Sequence, residues 1–278
     1  MASSIAETIA NRADDMPAGE RRAAQALIAN YPMLGLRTVA EFAQRAGVSS
    51  PTILRLVSRI GFHNYAEFQS ALNDELAERL QSPLNRATNS RRKPSQPLVA
   101  AIVDNIAETF RQVTDRQMAA MVEQLADRRN RVTLLGGRLT FPIASYLAAH
   151  LAIMRPHVIA LGGQESNWRD SLIDVDRRDT FVVFDIRRYQ DSLLTFAEAA
   201  ARRGATIILV TDQWLSPIAR VARHVVAART AVPSPWDSSA ALFAVAEQLV
   251  AGVTARLGEE SARRMQLMDS LRDEMTKP

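Results

Sequence analysis

The sequence predicts an α/β protein in two parts. An all-α N-terminal domain is followed by an α/β/α domain built on a five-stranded parallel sheet. Three observations carry this. Residues 1–80 read as helices throughout. Residues 131–229 alternate short β-branched runs with alanine-rich helical stretches. Between these segments, residues 81–97 combine three prolines, small polar residues and the triplet Arg91-Arg92-Lys93, which is linker composition. The domains are therefore drawn at 1–80 and 98–278, with the linker at 81–97.

Composition narrows the chemistry. Apolar residues make up 47% of the 278, enough for sizeable cores. With no cysteine there is no disulfide, zinc-thiolate site or thiol nucleophile. The N-terminus lacks the apolar core of a signal peptide. Leu139–Met154, the longest uncharged apolar stretch, is too short and too polar for a membrane span. The expectation is a soluble cytoplasmic protein without a membrane partner. The net charge is +4, and 32 of the 34 basic residues are arginine, the better side chain for fork-like recognition of phosphate, carboxylate or guanine. Residues 1–97 carry net +3 and residues 98–278 net +1, so the shorter part holds the excess expected of a segment that touches a polyanion.

In the first domain, Gly19–Asn30 is amphipathic, with Ala23, Leu27 and Ile28 inward. Thr38 and Glu41 form a capping box that opens a second helix burying Val39, Phe42 and Ala43. Gly47 suits the left-handed turn that ends it. Ser49 or Ser50 caps a third helix, and Pro51 fits its first turn. Ile53, Leu56, Val57 and Ile60 make its buried stripe and leave Ser50, Thr52, Arg55, Ser58 and Arg59 facing out. Asn64 and Glu67 open a further helix to about Leu80. Two helices around a glycine turn, the second with polar and arginine residues outward, are the helix-turn-helix pattern, whose second helix enters the DNA major groove.

In the second domain, Leu98–Ala126 gives two helices broken near Thr114-Asp115. Strands are predicted at Val132–Gly136, His157–Leu161, Thr180–Ile186, Thr206–Thr211 and His224–Ala228. Helical stretches follow at Phe141–Met154, Ser192–Arg203, Pro217–Val221, Asp237–Leu257 and Ser261–Met275. Ligands of such sheets bind beyond the carboxyl ends of the strands, beside helix N-termini. The four histidines, His63, His150, His157 and His224, have no metal-ligand spacing, so neither a metal nor a cofactor is expected. Asp212 reads as a turn cap. Trp168, Trp214 and Trp236 lie near strand ends and could wall a pocket or a subunit contact.

The stretch Thr38–Phe62, followed by Tyr65-Ala-Glu-Phe68, closely resembles the N-terminal domain of RpiR-type transcription regulators. Phe42-Ala43, Gly47-Val48-Ser49, Thr52-Ile-Leu-Arg55, Gly61-Phe62 and Tyr65-Ala-Glu-Phe68 carry the match, which covers most of residues 18–77. The second domain resembles, over roughly residues 98–255, the SIS (sugar isomerase) fold that follows this domain in the family. There Gly136-Gly-Arg-Leu-Thr140 and Asp185-Ile-Arg-Arg-Tyr-Gln190 fall on its two phosphate-cradling loops, and Ser216-Pro-Ile-Ala219 on its Ser-Pro-Leu-Ala. The resemblance implies a non-enzymatic regulator, a homo-oligomer (dimer or tetramer) on a palindromic double-stranded operator, with Thr38, Ser49, Ser50, Thr52, Arg55, Arg59 and His63 toward DNA.

The loops depart from the family where chemistry matters. Arg138 replaces the second glycine of the first loop, and Thr140 keeps a hydroxyl. In the second loop Asp185 and Arg187 replace two serines, Arg188 the glycine and Gln190 the threonine. The expected site is therefore Gly136, Arg138, Thr140, Asp185, Arg187, Arg188, Gln190 and Ser192. Three arginines would converge on a small anionic metabolite, a carboxylate in preference to a sugar phosphate, with Thr140 and Ser192 as secondary donors. The alternative is that the arginines pair with Asp185, Asp191 or an adjoining subunit, a lock that closes the site and leaves a ligand-independent DNA-binding protein. A sugar-phosphate isomerase would need a general base, and Glu165 is the one obvious candidate. Dimer contacts are expected from the apolar faces of Asp237–Leu257 and Ser261–Met275.

Overall fold

The computed structural model describes residues 4–12, 15–80, 97–163 and 165–276. The expected linker thus falls outside the described residues, save Pro97.

Helices α1 (Ile5–Arg12), α2 (Ala18–Ala29), α3 (Val39–Ala46), α4 (Ser50–Arg59) and α5 (Tyr65–Leu80) make the first domain. Their apolar stripes meet in one core that includes Ile9, Leu27, Phe42, Leu56 and Phe68. The capping box forms as predicted: Glu41 N–H donates to the Thr38 hydroxyl, and Thr38 N–H to the Glu41 carboxylate. Gly47 ends α3 at φ 62°, a conformation a β-carbon would strain, and this sets the turn between α3 and α4. Ser49 precedes α4 in extended conformation, and Pro51 sits in its first turn.

The second domain opens with α6 (Leu98–Gln112) and α7 (Asp115–Ala126), separated by a capping box of Thr114 and Gln117. Strands β1 (Arg131–Gly136), β2 (Val158–Ala160), β3 (Asp179–Asp185), β4 (Thr206–Asp212) and β5 (His224–Ala228) form one parallel sheet in the order β2-β1-β3-β4-β5. The order reverses between β1 and β3, so the loops after these two strands open side by side at one edge of the sheet. Helices α7, α8 (Phe141–Met154) and α11 (Ala240–Leu257) pack on one face, over Leu134, Val182, Phe184, Ile208 and Val210. Helices α9 (Glu165–Asp170) and α10 (Asp191–Arg202), with a 3-10 turn at Pro217–Arg220, cover the other, over Leu135, Phe181, Val183 and Leu209. Helix α12 (Glu259–Thr276) closes the described chain.

Two expectations change. The second strand is three residues rather than five, an edge strand whose Ile159 and Ala160 are exposed. Helix α11, long and apolar enough by composition to cross a membrane, is a core helix: Ala241, Leu242, Val245, Ala246, Leu249 and Val253 are buried in its own domain. None of its large apolar side chains is among the exposed ones. Of these two C-terminal helices, α12 is the one with exposed large apolar residues, Leu267, Leu271 and Met275, repeating every four.

The domains touch. Helix α2 packs against the 3-10 turn Pro217–Arg220, and the Ser4 hydroxyl donates 2.6 Å to the carbonyl of Gln213.

Candidate functional site

Helix α4 presents the candidate DNA surface. Arg55 points outward with 64% of its side chain exposed, and Ser49, Ser58, Arg59, Thr38 and His63 are also exposed, while Ser50 is half-buried. Thr52 corrects the sequence reading. It is 8% exposed, because its methyl packs against α2, where a β-carbon on Gly19 would stand 3.3 Å away. Its hydroxyl pairs with Ser49 at 2.9 Å and accepts from Arg55 Nη2 at 3.0 Å. Thr52 thus holds the base of the helix and aims Arg55.

Glu20 of α2 is a residue the sequence reading missed. It is buried, yet its carboxylate accepts from Arg59 Nε at 2.5 Å and lies 3.8 Å from Arg55. The hydrogen bond that Arg59 donates to Glu20, with the charge of that carboxylate, holds the Arg59 guanidinium above its ordinary pKa. The available signal was a glutamate on the same helical face as Ala23, Ala24 and Leu27: a buried carboxylate requires a cationic partner. Both outward arginines of α4 are therefore gathered on one buried acid.

In the second domain the two loops follow β1 and β3. The first turns so tightly into α8 that a β-carbon on Gly136 would meet Phe141 N at 2.5 Å, which is why glycine stands there. Thr140 is buried, and its hydroxyl donates 2.6 Å to the Phe184 carbonyl. That hydroxyl fastens the first loop to strand β3, so its proton is already engaged within the protein. Arg138 is exposed at the tip.

The second loop is filled by the chain's own carboxylates. Asp185, 3% exposed, accepts from Ser216 Oγ at 2.5 Å and from the Gln190 N–H at 3.4 Å, so it sits against the amide that opens α10. Asp212, fully buried, accepts from Arg187 N–H (2.5 Å), Tyr189 Oη (2.6 Å) and Trp214 N–H (3.1 Å), and is the turn cap the sequence predicted. Burial pushes its carboxyl up to about 6 against the three donors, which favour the charged form.

The three arginines do not converge. Arg187 turns inward, 6% exposed, and makes a bidentate pair with Asp237 just before α11 (Nε to Oδ2 2.6 Å). Its guanidinium also lies 4.1 Å over the Trp214 ring. An arginine–aspartate lock is present, and it includes Asp237, an aspartate the sequence reading did not name. Arg188 is exposed and holds φ 63°, keeping the left-handed backbone for which glycine is the usual residue. Beside it, Gln190 Nε2 donates to Glu165 Oε1 (2.7 Å) and to Ser192 Oγ (2.7 Å), and Ser192 Oγ donates to the same Glu165 oxygen (2.8 Å). Arg138, Arg188, Gln190, Ser192 and Glu165 thus remain on the outer rim. Trp168 is buried in the sheet's core and Trp236 is exposed. Among the described residues no group of three or more histidine or acidic side chains could hold a metal ion.

Residues 3–79 match the helix-turn-helix domain of the rpiR family, and residues 124–252 match the SIS domain. Among solved structures, the fold is similar to the sugar isomerase domain of an RpiR transcription factor from Sphaerobacter thermophilus. The match has 25% identity and a TM-score of 0.57, over 62% of this chain and 96% of that one. It is also similar to the Vibrio vulnificus NanR protein complexed with ManNAc-6P, at 15% identity and a TM-score of 0.56, over 99% of this chain and 100% of that one. No curated protein matches the sequence.

Proposed function

Because the chain belongs to the RpiR-type transcription regulators, with a helix-turn-helix domain followed by a SIS domain, we propose that its SIS domain sets the DNA affinity of α4 in response to a small anionic metabolite. The observation that carries this reading is the position of α2. One side of α2 bears Glu20, which gathers Arg55 and Arg59. Another packs on the 3-10 turn Pro217–Arg220, and the cap of that turn, Ser216, grips Asp185 in the second loop. A ligand that prefers one position of this loop would bias the turn, then α2, then the two arginines. Such control requires a different ligand affinity in the two states.

The effector site of this proposal is the loop rim: Arg138 and Arg188 as cations, Gln190 and Ser192 as polar contacts. The hydroxyls of Thr140 and Ser216 are engaged within the protein, which weighs against a phosphate in the old cradle and for a carboxylate held by guanidinium groups. The protein acts as a homodimer on a palindromic operator. The buried Arg187–Asp237 pair supports a second reading, a closed SIS domain and a ligand-independent DNA-binding protein.

Thermal shift of the full chain against small carboxylates and sugar phosphates separates the two. A carboxylate that raises the melting temperature of the native chain, but not of an Arg138→Ala/Arg188→Ala variant, supports rim binding. No shift with any compound supports the closed domain. A sugar-phosphate shift that survives in the variant refutes the carboxylate assignment.

A further inference from the structure

Helix α4 carries one residue that neither its core nor its charge pattern explains. Leu54 is 47% exposed and takes no part in the apolar core of its domain. Ile53, Leu56, Val57 and Ile60 fill the inner side of the helix, and Leu54 lies on the other. Its surroundings there are polar. Ser50 precedes it by one turn, Ser58 follows by one turn, and both Ser58 and the adjacent Arg55 are exposed. An apolar side chain in this setting gains nothing from the folded monomer, and its exposure to water is unfavourable.

In the major groove the C5 methyl of thymine is the one apolar group on the base edges, while every other readable feature is a hydrogen-bond donor or acceptor. The reading helix of a helix-turn-helix places its N-terminal half against base edges. Leu54 is the fifth residue of α4, flanked by Arg55, the cation best exposed to phosphate or guanine.

We infer that Leu54 reads a thymine methyl in the operator, so that one position of each half-site is specified by apolar contact and not by hydrogen bonding. This rests on the DNA-binding reading of α4 and adds to it a base and the side chain that selects it. The occupant is nucleic acid, because the exposed guanidinium of Arg55 beside Leu54 and the helix-turn-helix setting of α4 favour a polyanion over a second apolar surface.

The test uses the full chain and duplexes enriched by it from a randomised library. In an enriched duplex each thymine is replaced in turn by deoxyuridine, which lacks only the methyl. The expected result is that the native protein loses affinity about fourfold at one thymine per half-site, the weight of one methyl at ~0.8 kcal/mol. Leu54→Ala, an exposed change that leaves the core intact, should bind thymine and uracil duplexes equally at that position. Affinity unchanged by every uracil, or a uracil penalty of the same size in Leu54→Ala, overturns the assignment. So does a Leu54→Ala variant that alters the sedimentation of the free protein, since Leu54 would then serve a protein contact. If no duplex is enriched, the DNA reading of α4 falls and this assignment with it. Enrichment without uracil sensitivity removes the Leu54 assignment alone.

Discussion

Arg55 and Thr52 stand three residues apart on α4 and do different work. Arg55 is exposed and Thr52 lies beneath it, holding Nη2 of the arginine. Arg55→Ala should weaken operator binding by about 1–3 kcal/mol if the guanidinium meets a guanine edge. Thr52→Val keeps the packing against α2 and removes only the anchor. We expect it to cost about 0.5–1.5 kcal/mol of stability, the net value of a hydrogen bond, and less affinity than Arg55→Ala. Gel shift with chemical denaturation reads both, and equal affinity losses would place Thr52 on the DNA. Asp212 gives a prediction of another kind. Its folded-state pKa, about 6, lies above the ordinary carboxyl value of 3.8. Its contribution to stability is therefore complete below about pH 4 and is lost as pH rises through about 6. Asp212→Asn does not titrate, so relative to the native chain it should gain stability between pH 4 and pH 7. A difference in melting temperature that stays flat across that range would show that the three donors, and not burial, govern the group.

Loops and helices were legible to different depths. The capping box at Thr38, the glycine turn at Gly47 and the buried stripe of α4 are local signals, readable within a few positions, and all three formed as expected. The parallel sheet followed from the alternation of β-branched and alanine-rich runs. What sequence reading could not supply was the pairing of side chains far apart. Arg187 and Asp237 are separated by 50 positions, and Arg59 and Glu20 by 39. Their attraction depends on a tertiary approach that no periodicity records. Thr52 was misplaced because it borders the buried stripe, and only the proximity of α2 decides its side. Leu54 belongs to neither the buried stripe nor the polar outward set that the sequence defines, and its exposure shows only in the folded helix. The Arg187–Asp237 pair joins the loop after β3 to the start of α11, and both side chains are largely buried. Removing either partner leaves a charge without its counterion, at a cost of about 3–5 kcal/mol. Arg187→Met and Asp237→Leu together should cost less than either change alone. Urea denaturation of the three variants measures the coupling, and additive losses would mean the pair contributes no mutual stabilisation.

For the molecule as a whole, the exposed residues Leu267, Leu271 and Met275 of α12 offer the apolar surface that α11 and α12 together were expected to supply. We predict that this face makes the subunit contact. Light scattering of the native chain should give a dimer, and Leu267→Glu/Leu271→Glu should give a folded monomer at micromolar concentration. A variant that remains dimeric moves the contact elsewhere. A different consequence follows from Asp185. Its carboxylate rests against the Gln190 amide and the Ser216 hydroxyl. Being covalently part of strand β3, it is present there at an effective concentration on the order of millimolar or above, whatever the solution holds. Free inorganic phosphate must outcompete a tethered rival to enter that position. On the proposed reading, the second loop should therefore be insensitive to swings in the general phosphate pool, and the effector should act through the rim outside it.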